Sequence, residues 1–267
     1  MRVTSKNNSK IKLIRSLHQR KYRTQTGLFV VEGLHGVIEA LNHPERIEMI
    51  VVCYDLLKSA RGCDALNRVS ASIPVLELDV ALFSSIMTCA KPQGIAAVVR
   101  QHWLSLGCIP DAQDSLPDEG LWVALCDVQY PGNLGTILRT CDAVGAAGVI
   151  VLGNATDPYH PTAVRAGLSA YFTQNLVQTD HETFADWLRE SHYGVVGASA
   201  DGTQHYRDTD YTLPLILMMG NEGYGLSQVQ RDLCDRLVAI PMHGQNDSLN
   251  LAVATGVLLY EVIAQKA

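Results

Sequence analysis

The sequence predicts an α/β protein built in two parts, on three observations. Its 267 residues exceed one typical domain and are enough to bury a substantial core. Along most of the chain, apolar runs of strand length alternate with stretches of helical period. Between them "SLGCIPDAQDSLPDEG", residues 105–120, loses all periodicity to prolines, acids and glycines, as a linker does. The expected division is therefore a module at 1–104, a linker at 105–120 and a second domain at 121–267.

In the first module, "KNNSKIKLIRSLHQRKYRTQTG" places Ile11, Ile14 and Leu17 at helical spacing among cations and stops near Gly27. "LFVVEG" follows as a strand, "GVIEALNHP" as a helix stopped by Pro44, "IEMIVVCY" as a buried strand, "IPVLELD" as a strand, "DVALFSSIM" as a helix and "GIAAVVR" as a strand. The second domain alternates more regularly. Strands are expected at "LWVALCD", "GVIVLG", "YGVVGAS", "LPLILMMG" and "LVAIP", and helices at "GTILRTCDAVG", "TFADWLRES" and the C-terminal run. Such alternation implies a mostly parallel sheet covered on both faces, with ligands gathered at the carboxyl ends of its strands.

The net charge of −6 is mild but unevenly placed. Eight of the 21 basic residues (Arg2, Lys6, Lys10, Lys12, Arg15, Arg20, Lys21 and Arg23) precede the first acid, Glu32, so the remaining 13 stand against 27 acids. A basic arm on an acidic body fits either a polyanion partner or a solvated helix face. The seven cysteines (Cys53, Cys63, Cys89, Cys108, Cys126, Cys141 and Cys234) form no Cys-x-x-Cys pair, so reduced, partly buried thiols of a cytoplasmic protein are expected and no metal site is. The basic N-terminus lacks the apolar core of a signal peptide, and no apolar run is long enough to span a membrane.

Three turns at strand ends carry candidate chemistry. "YPGNLGTILRT" holds Asn133, Gly135 and Arg139 after a strand, without the glycine spacing of a dinucleotide fold or the Gly-Lys of a phosphate loop. Asn133 and Arg139 either face one cleft or serve as a helix cap and one half of a surface ion pair. "LILMMGNEGYGLS" surrounds Glu222 with Gly220, Gly223 and Gly225 before a helix that Ser227 is placed to cap. That carboxylate either bonds a ligand or favours the positive end of the next helix. In the third turn, strand residues end at Ile240, a polar loop follows, and Ser248 to Asn250 lead into a helix apolar nearly all round. Such a helix is expected to be buried within its own domain or against a second subunit, with the polar loop at an interior crevice.

Taken together, the three turns resemble the SpoU (TrmH) family of RNA ribose 2′-O-methyltransferases, within the SPOUT superfamily. The family's first motif, Asn-x-Gly-x-x-x-Arg-Thr, is matched by Asn133, Gly135, Arg139 and Thr140; its second, Gly-x-Glu-x-x-Gly, by Gly220, Glu222 and Gly225; its third by Ile240, Pro241, Met242 and then Ser248, Leu249 and Asn250. The resemblance covers about residues 121 to 265, and "SKIKLIRSLHQRKYRTQTGLFVVEG" is similar to the start of the family's N-terminal substrate-binding module. It implies a C-terminal parallel-sheet domain with a deep trefoil knot, rare among proteins. It also implies a small N-terminal α/β RNA-binding domain resembling a ribosomal protein.

The resemblance further implies S-adenosylmethionine as cofactor, held by Gly220, Ile240, Met242 and Leu249, and no metal. Arg139 would stand at the reacting centre, with Asn133, Glu222, Ser248 and Asn250 orienting it, the ribose and the cofactor. The family assigns deprotonation to this arginine, although a guanidinium is a poor base and equally suited to clamping a phosphate. Lys12, Arg20, Lys21, Arg23 and Arg165 would bind RNA. Where many members have Arg-Ala-Ser-x-Gly-Ala, this chain has Arg165, Ala166, Gly167, Leu168, Ser169 and Ala170. The partners implied are ribosomal RNA and a second copy of the chain, paired through the knotted domain with help from the last helix. Transfer RNA as substrate, or a non-catalytic RNA-binding or ribosome-assembly protein on the same fold, are the alternatives.

Overall fold

A computed structural model describes residues 2–114 and 120–266. The chain divides into two compact units, Met1–Gln101 with Asp157–Phe172, and His102–Thr156 with Thr173–Ala267. In the first, α1 (Ser9–Ser16), α2 (Arg20–Thr26), β1 (Leu28–Glu32), α3 (Leu34–Ala40), β2 (Ile47–Val52), α4 (Ala60–Asn67), β3 (Val75–Glu77), α5 (Val80–Ser84) and β4 (Ile95–Arg100) surround a four-stranded sheet of order β1-β4-β2-β3. The basic arm is two helices where the periodicity suggested one. Asn8 caps α1 with its side chain, and α2 ends at Gly27, whose φ of 64° is the left-handed conformation glycine adopts freely. Ile11, Ile14 and Leu17 enter the core with Phe83, Ile86 and Val98, as their spacing requires. Ser59 caps α4, an element without a clear apolar stripe in the sequence.

The second unit carries β5 (Leu121–Cys126), α6 (Pro131–Ala143) and β6 (Gly148–Leu152). After α7 (Pro161–Gly167) and α8 (Ala170–Thr173) come β7 (Asn175–Thr179), α9 (His181–Ser191), β8 (Gly194–Ala198), β9 (Gln204–His205), β10 (Leu215–Met219), α10 (Gln228–Asp232), β11 (Arg236–Ala239) and α11 (Leu251–Ala264). The seven strands run in the order β7-β6-β5-β10-β8-β11-β9, every pair parallel. Alternate residues serve the two faces. Trp122, Ala124, Cys126, Ile150, Val177, Val195, Ile216 and Met218 pack with Phe184 of α9 and with Ile109 and Ala112. Val123, Leu125, Val149, Val151 and Leu217 face the other way and are equally buried, as are Leu134, Ile137 and Leu138 of α6 and Leu258 and Leu259 of α11. Residues 105–114, expected as linker, therefore belong to this core, because Ile109 and Ala112 have an apolar face to fill. The rest of that expected linker, residues 115–119, lies outside the described residues.

The larger departure is the segment 157–172, which groups with the first unit although it lies inside the expected second domain. Two arginines tie it there. Arg23 donates from Nε and Nη2 to Asp157 Oδ2 at 2.7 and 2.6 Å and from Nη1 to the Leu17 carbonyl at 2.7 Å. The last bond satisfies the carbonyl at the end of α1. Arg46 donates to the Tyr171 carbonyl and stacks over Phe172 with its guanidinium carbon 5.1 Å from the ring centre. Phe29 packs on Tyr159 and Tyr171 at ring separations of 4.6 and 6.1 Å, and the Tyr171 hydroxyl donates to the Pro158 carbonyl.

Arg23, expected to meet RNA, is thus 1% exposed and fully engaged inside the protein. This corrects that expectation: a buried guanidinium paired with a largely buried carboxylate is held by the cost of stripping either partner alone. Replacing Arg23 with Met should lower the unfolding free energy by about 3 kcal/mol or more, since Asp157 would stay buried without its partner. The Arg23→Met/Asp157→Leu double variant should recover most of that loss, and urea unfolding of all three proteins measures both effects.

Candidate active site

β5 and β10 are neighbours in the sheet, yet β5 continues to β6 and β7 on one side while β8 lies beyond β10 on the other. That reversal is the switch point at which a parallel sheet opens a crevice at its carboxyl edge. Two of the three candidate turns leave the sheet there, 127–133 after β5 and 220–225 after β10. They are joined through Glu222. Its Oε2 accepts from the Gln129 amide at 2.9 Å, and its Oε1 accepts from the Tyr130 amide and from Asn133 Nδ2, both at 3.0 Å. Of the two readings open for Glu222, a helix N-terminus is indeed involved, but it is that of α6, just over ninety residues earlier, and not that of α10. Ser227 and Gln230 cap α10 with a reciprocal pair of bonds.

The third turn joins through Asn133, whose Oδ1 accepts from Asn250 Nδ2 at 3.0 Å. Asn250 in turn caps α11, its Oδ1 accepting from the Ala252 and Val253 amides at 2.9 and 3.4 Å. The direction of this chain is forced. An ionised carboxylate only accepts, so the Asn133 nitrogen faces Glu222 and its oxygen faces Asn250; the Asn250 nitrogen then faces Asn133, leaving its oxygen for the helix amides. Burial alone would push the Glu222 carboxyl up, but the amides of Gln129 and Tyr130 and the Asn133 side chain together hold it below the usual carboxylate range. Glu222 is therefore ionised at neutral pH and all its bonds go to positioning.

A second set of contacts braces the same edge through residues the motifs did not single out. Asn221 donates to the Asp127 carbonyl at 2.8 Å and closes a two-way backbone bridge with Gly225. Asp127 has a φ of 53°, and its carboxylate accepts from the Asn154 amide at 2.8 Å and lies 2.8 Å from His181 Nε2. Gly153 leaves room for that pair, since a Cβ there would stand 2.4 Å from both Asp127 Oδ1 and His181 Nε2. A polar residue closing an apolar strand, as Asp127 does, was the available signal; its partner on α9 had none. Gly220 is needed for a related reason, because its Cβ would meet the backbone of Gly225 at 2.2 Å.

Asn133, Glu222 and Asn250 are thus in direct contact, whereas Arg139 is not part of their chain. Six residues along α6 is a turn and two thirds, so its side chain leaves the helix about 120° away from that of Asn133. It is exposed and makes no hydrogen bond or ion pair among the described residues. Ser248 is exposed and donates to Asp247 Oδ1. Gly220 is buried, Ile240 and Met242 are half-buried, and Leu249 keeps 38% of its surface exposed. Lys12, Arg20, Lys21 and Arg165 are exposed, Arg165 donating to Thr88 Oγ1 at 3.4 Å. The loop 243–250 is exposed and not interior, and α11 leaves Val253 53% and Tyr260 58% exposed. Of the two burials expected for that helix, its own unit supplies only part.

The sequence pattern of the SpoU rRNA Methylase family matches residues 120–260, and that of the MRM3-like substrate binding domain matches residues 8–97. The chain is 33% identical to a 23S rRNA (uridine(2479)-2′-O)-methyltransferase of Streptomyces viridochromogenes, over 99% of this chain and 92% of that one. It is 30% identical to the 23S rRNA (guanosine(2553)-2′-O)-methyltransferase RlmP of Bacillus subtilis, over 97% and 98% of the two chains. Among solved structures, the AdoMet-bound rRNA methyltransferase of Sinorhizobium meliloti superposes with a TM-score of 0.86 at 36% identity, over 100% of this chain and 98% of that one.

Replacing Glu222 with Ala leaves three donors unpaired and should destabilise the second unit by about 2 kcal/mol at neutral pH. Because the folded-state pKa lies below the unfolded one, that contribution is complete above the ordinary carboxylate range and is lost as pH falls through the lowered value. Denaturant unfolding of wild type and variant should accordingly differ at pH 7 and converge in acid.

Proposed function

The chain belongs to the SpoU rRNA methylase family, and on that premise we propose that it transfers a methyl group from S-adenosylmethionine to a ribose 2′-hydroxyl of ribosomal RNA. The observation that carries this reading is the hydrogen-bonded chain from Glu222 through Asn133 to Asn250, which joins three motifs widely separated in sequence. The residues fit the cofactor. Gly220 ends β10 where the turn closes back on it, and Ile240, Met242 and Leu249, between β11 and α11, keep apolar surface uncovered, as an adenine ring and a thioether require.

The bound cofactor supplies a methyl group already activated on a sulfonium. What the protein adds is placement: a ribose hydroxyl held in line behind that carbon, with its proton free to leave. Asn133 and Asn250 keep rigid amides at the edge of the crevice, and Ser248 offers a hydroxyl beside them. Arg139, exposed and without a protein partner among the described residues, serves as the clamp for the phosphate next to the target. Lys12, Arg20, Lys21 and Arg165 hold other parts of the RNA by charge, and Arg23 is withdrawn from that list by its burial. The threading of the last segment as a trefoil knot belongs to the same proposal, supported by the insertion of β10 between β5 and β8. So does a homodimer that covers Val253 and Tyr260, which lie seven residues apart on one side of α11. We assign the enzyme to the cytoplasm, in keeping with its RNA substrate.

Incubation with methyl-labelled cofactor and ribosomal RNA lacking the modification should place label on a ribose; label on a base, or none, would overturn the proposal. Arg139→Ala should lower transfer a hundredfold or more, in the range of about 10²–10³ seen when a donor to transition-state charge is removed, while cofactor binding stays measurable. Near-normal turnover would take Arg139 off the reacting centre. Replacing Lys12, Arg20 and Lys21 with Ala should flatten the dependence of log RNA affinity on log salt by about 0.7–0.9 for each phosphate that is no longer neutralised.

A further inference from the structure

Two tyrosines flank the Glu222 carboxylate, and each exposes 64% of its surface. Tyr130 closes the loop after β5, its amide pinned to Glu222 Oε1, directly before Pro131 opens α6. Tyr224 sits on the turn after β10, its amide 3.4 Å from Asn221 Oδ1, between Gly223 and Gly225. Neither ring contacts another aromatic, and neither hydroxyl has a bond, among the described residues. The phenol of Tyr224 is pushed up first by desolvation and then by the charge of Asp127, with a smaller contribution from Glu222. Both tyrosines thus stand on turns at the carboxyl ends of β5 and β10.

A large ring held out in water on a backbone fixed at both turns has no role in the core. It has lost its main-chain freedom before any ligand arrives, and a tyrosine has few rotamers left to lose. With Arg139 exposed further along α6, this helix and the turns before it offer both aromatic faces and a cation. Single-stranded nucleic acid takes that combination, stacking bases on aromatic rings while its phosphates meet the charge. Stacking also tolerates every base, which suits a family whose members here act on a uridine and on a guanosine.

We propose that Tyr130 and Tyr224 form a stacking surface for an unpaired base of the substrate RNA next to the target ribose. The inference rests on the reading of the chain as a ribose methyltransferase and adds how the strand is held open at the site. The nucleotide is gripped by its faces, and base identity is left to contacts elsewhere.

The test uses the full chain, unmodified ribosomal RNA and methyl-labelled S-adenosylmethionine, with Ala, Leu and Phe at each tyrosine and the double Ala variant. Each Ala should raise KM for RNA about tenfold, within the range expected when one base loses its stacking partner. Phe should restore it, Leu should not, and cofactor Kd and sedimentation should stay as in wild type. Unchanged RNA KM in the double variant would overturn the inference. So would rescue by Leu, or a loss confined to cofactor binding, which would make the rings part of the adenine site, or to self-association, which would make them a subunit contact. If wild type labels no ribose, the methyltransferase reading fails instead. RNA affinity measured without cofactor then still decides whether the tyrosines stack.

Discussion

The site hangs on the two oxygens of Glu222. A carboxylate at the carboxyl end of β10 meets two backbone amides at the carboxyl end of β5 and the amide group of Asn133, all at about 3 Å. Because an ionised carboxylate is an acceptor only, it dictates the orientation of Asn133, then of Asn250, and through Asn250 the start of α11. Three turns that are far apart along the chain thereby share one donor–acceptor sequence. The arrangement depends on the sheet order, since β5 and β10 must be neighbours for the bonds to form.

Two arginines show how the same side chain takes opposite roles. Arg23 belongs to a basic run that looks like a polyanion arm, yet Asp157 and the Leu17 carbonyl engage it completely, and it becomes a clasp for the 157–172 segment. Arg139 lies on an amphipathic helix and keeps its guanidinium in solvent. An unengaged, permanently charged fork is what a phosphate recognises, and an engaged one is structure. Composition places both in the same class; only their neighbours separate them.

The exposed apolar and aromatic surface is similarly divided. Val253 and Tyr260 lie on one stripe of α11, seven residues apart and both exposed. Tyr130 and Tyr224 stand instead on turns at the carboxyl ends of β5 and β10, each 64% exposed.

Most of the strands and several helices were legible in the sequence, and so were the three turns, because they follow local rules. Buried parallel strands read as apolar runs, caps and turns need particular residues, and polar groups among glycines at strand ends mark a binding edge. β7 was missed since "NLVQT" is half polar on the sheet's flank, and the break between α1 and α2 was missed since the apolar period runs straight through it. By itself, then, the sequence determined the α/β class, most of the strands and the turns that follow β5, β10 and β11. Only the tertiary structure decided that 157–172 packs with the first unit, that Arg23 is buried, and that Glu222 serves the helix before it and not the one after. Each of those depends on pairing between residues about ninety or more positions apart. Such pairing is set by strand order and close packing, and leaves no periodic trace in the chain.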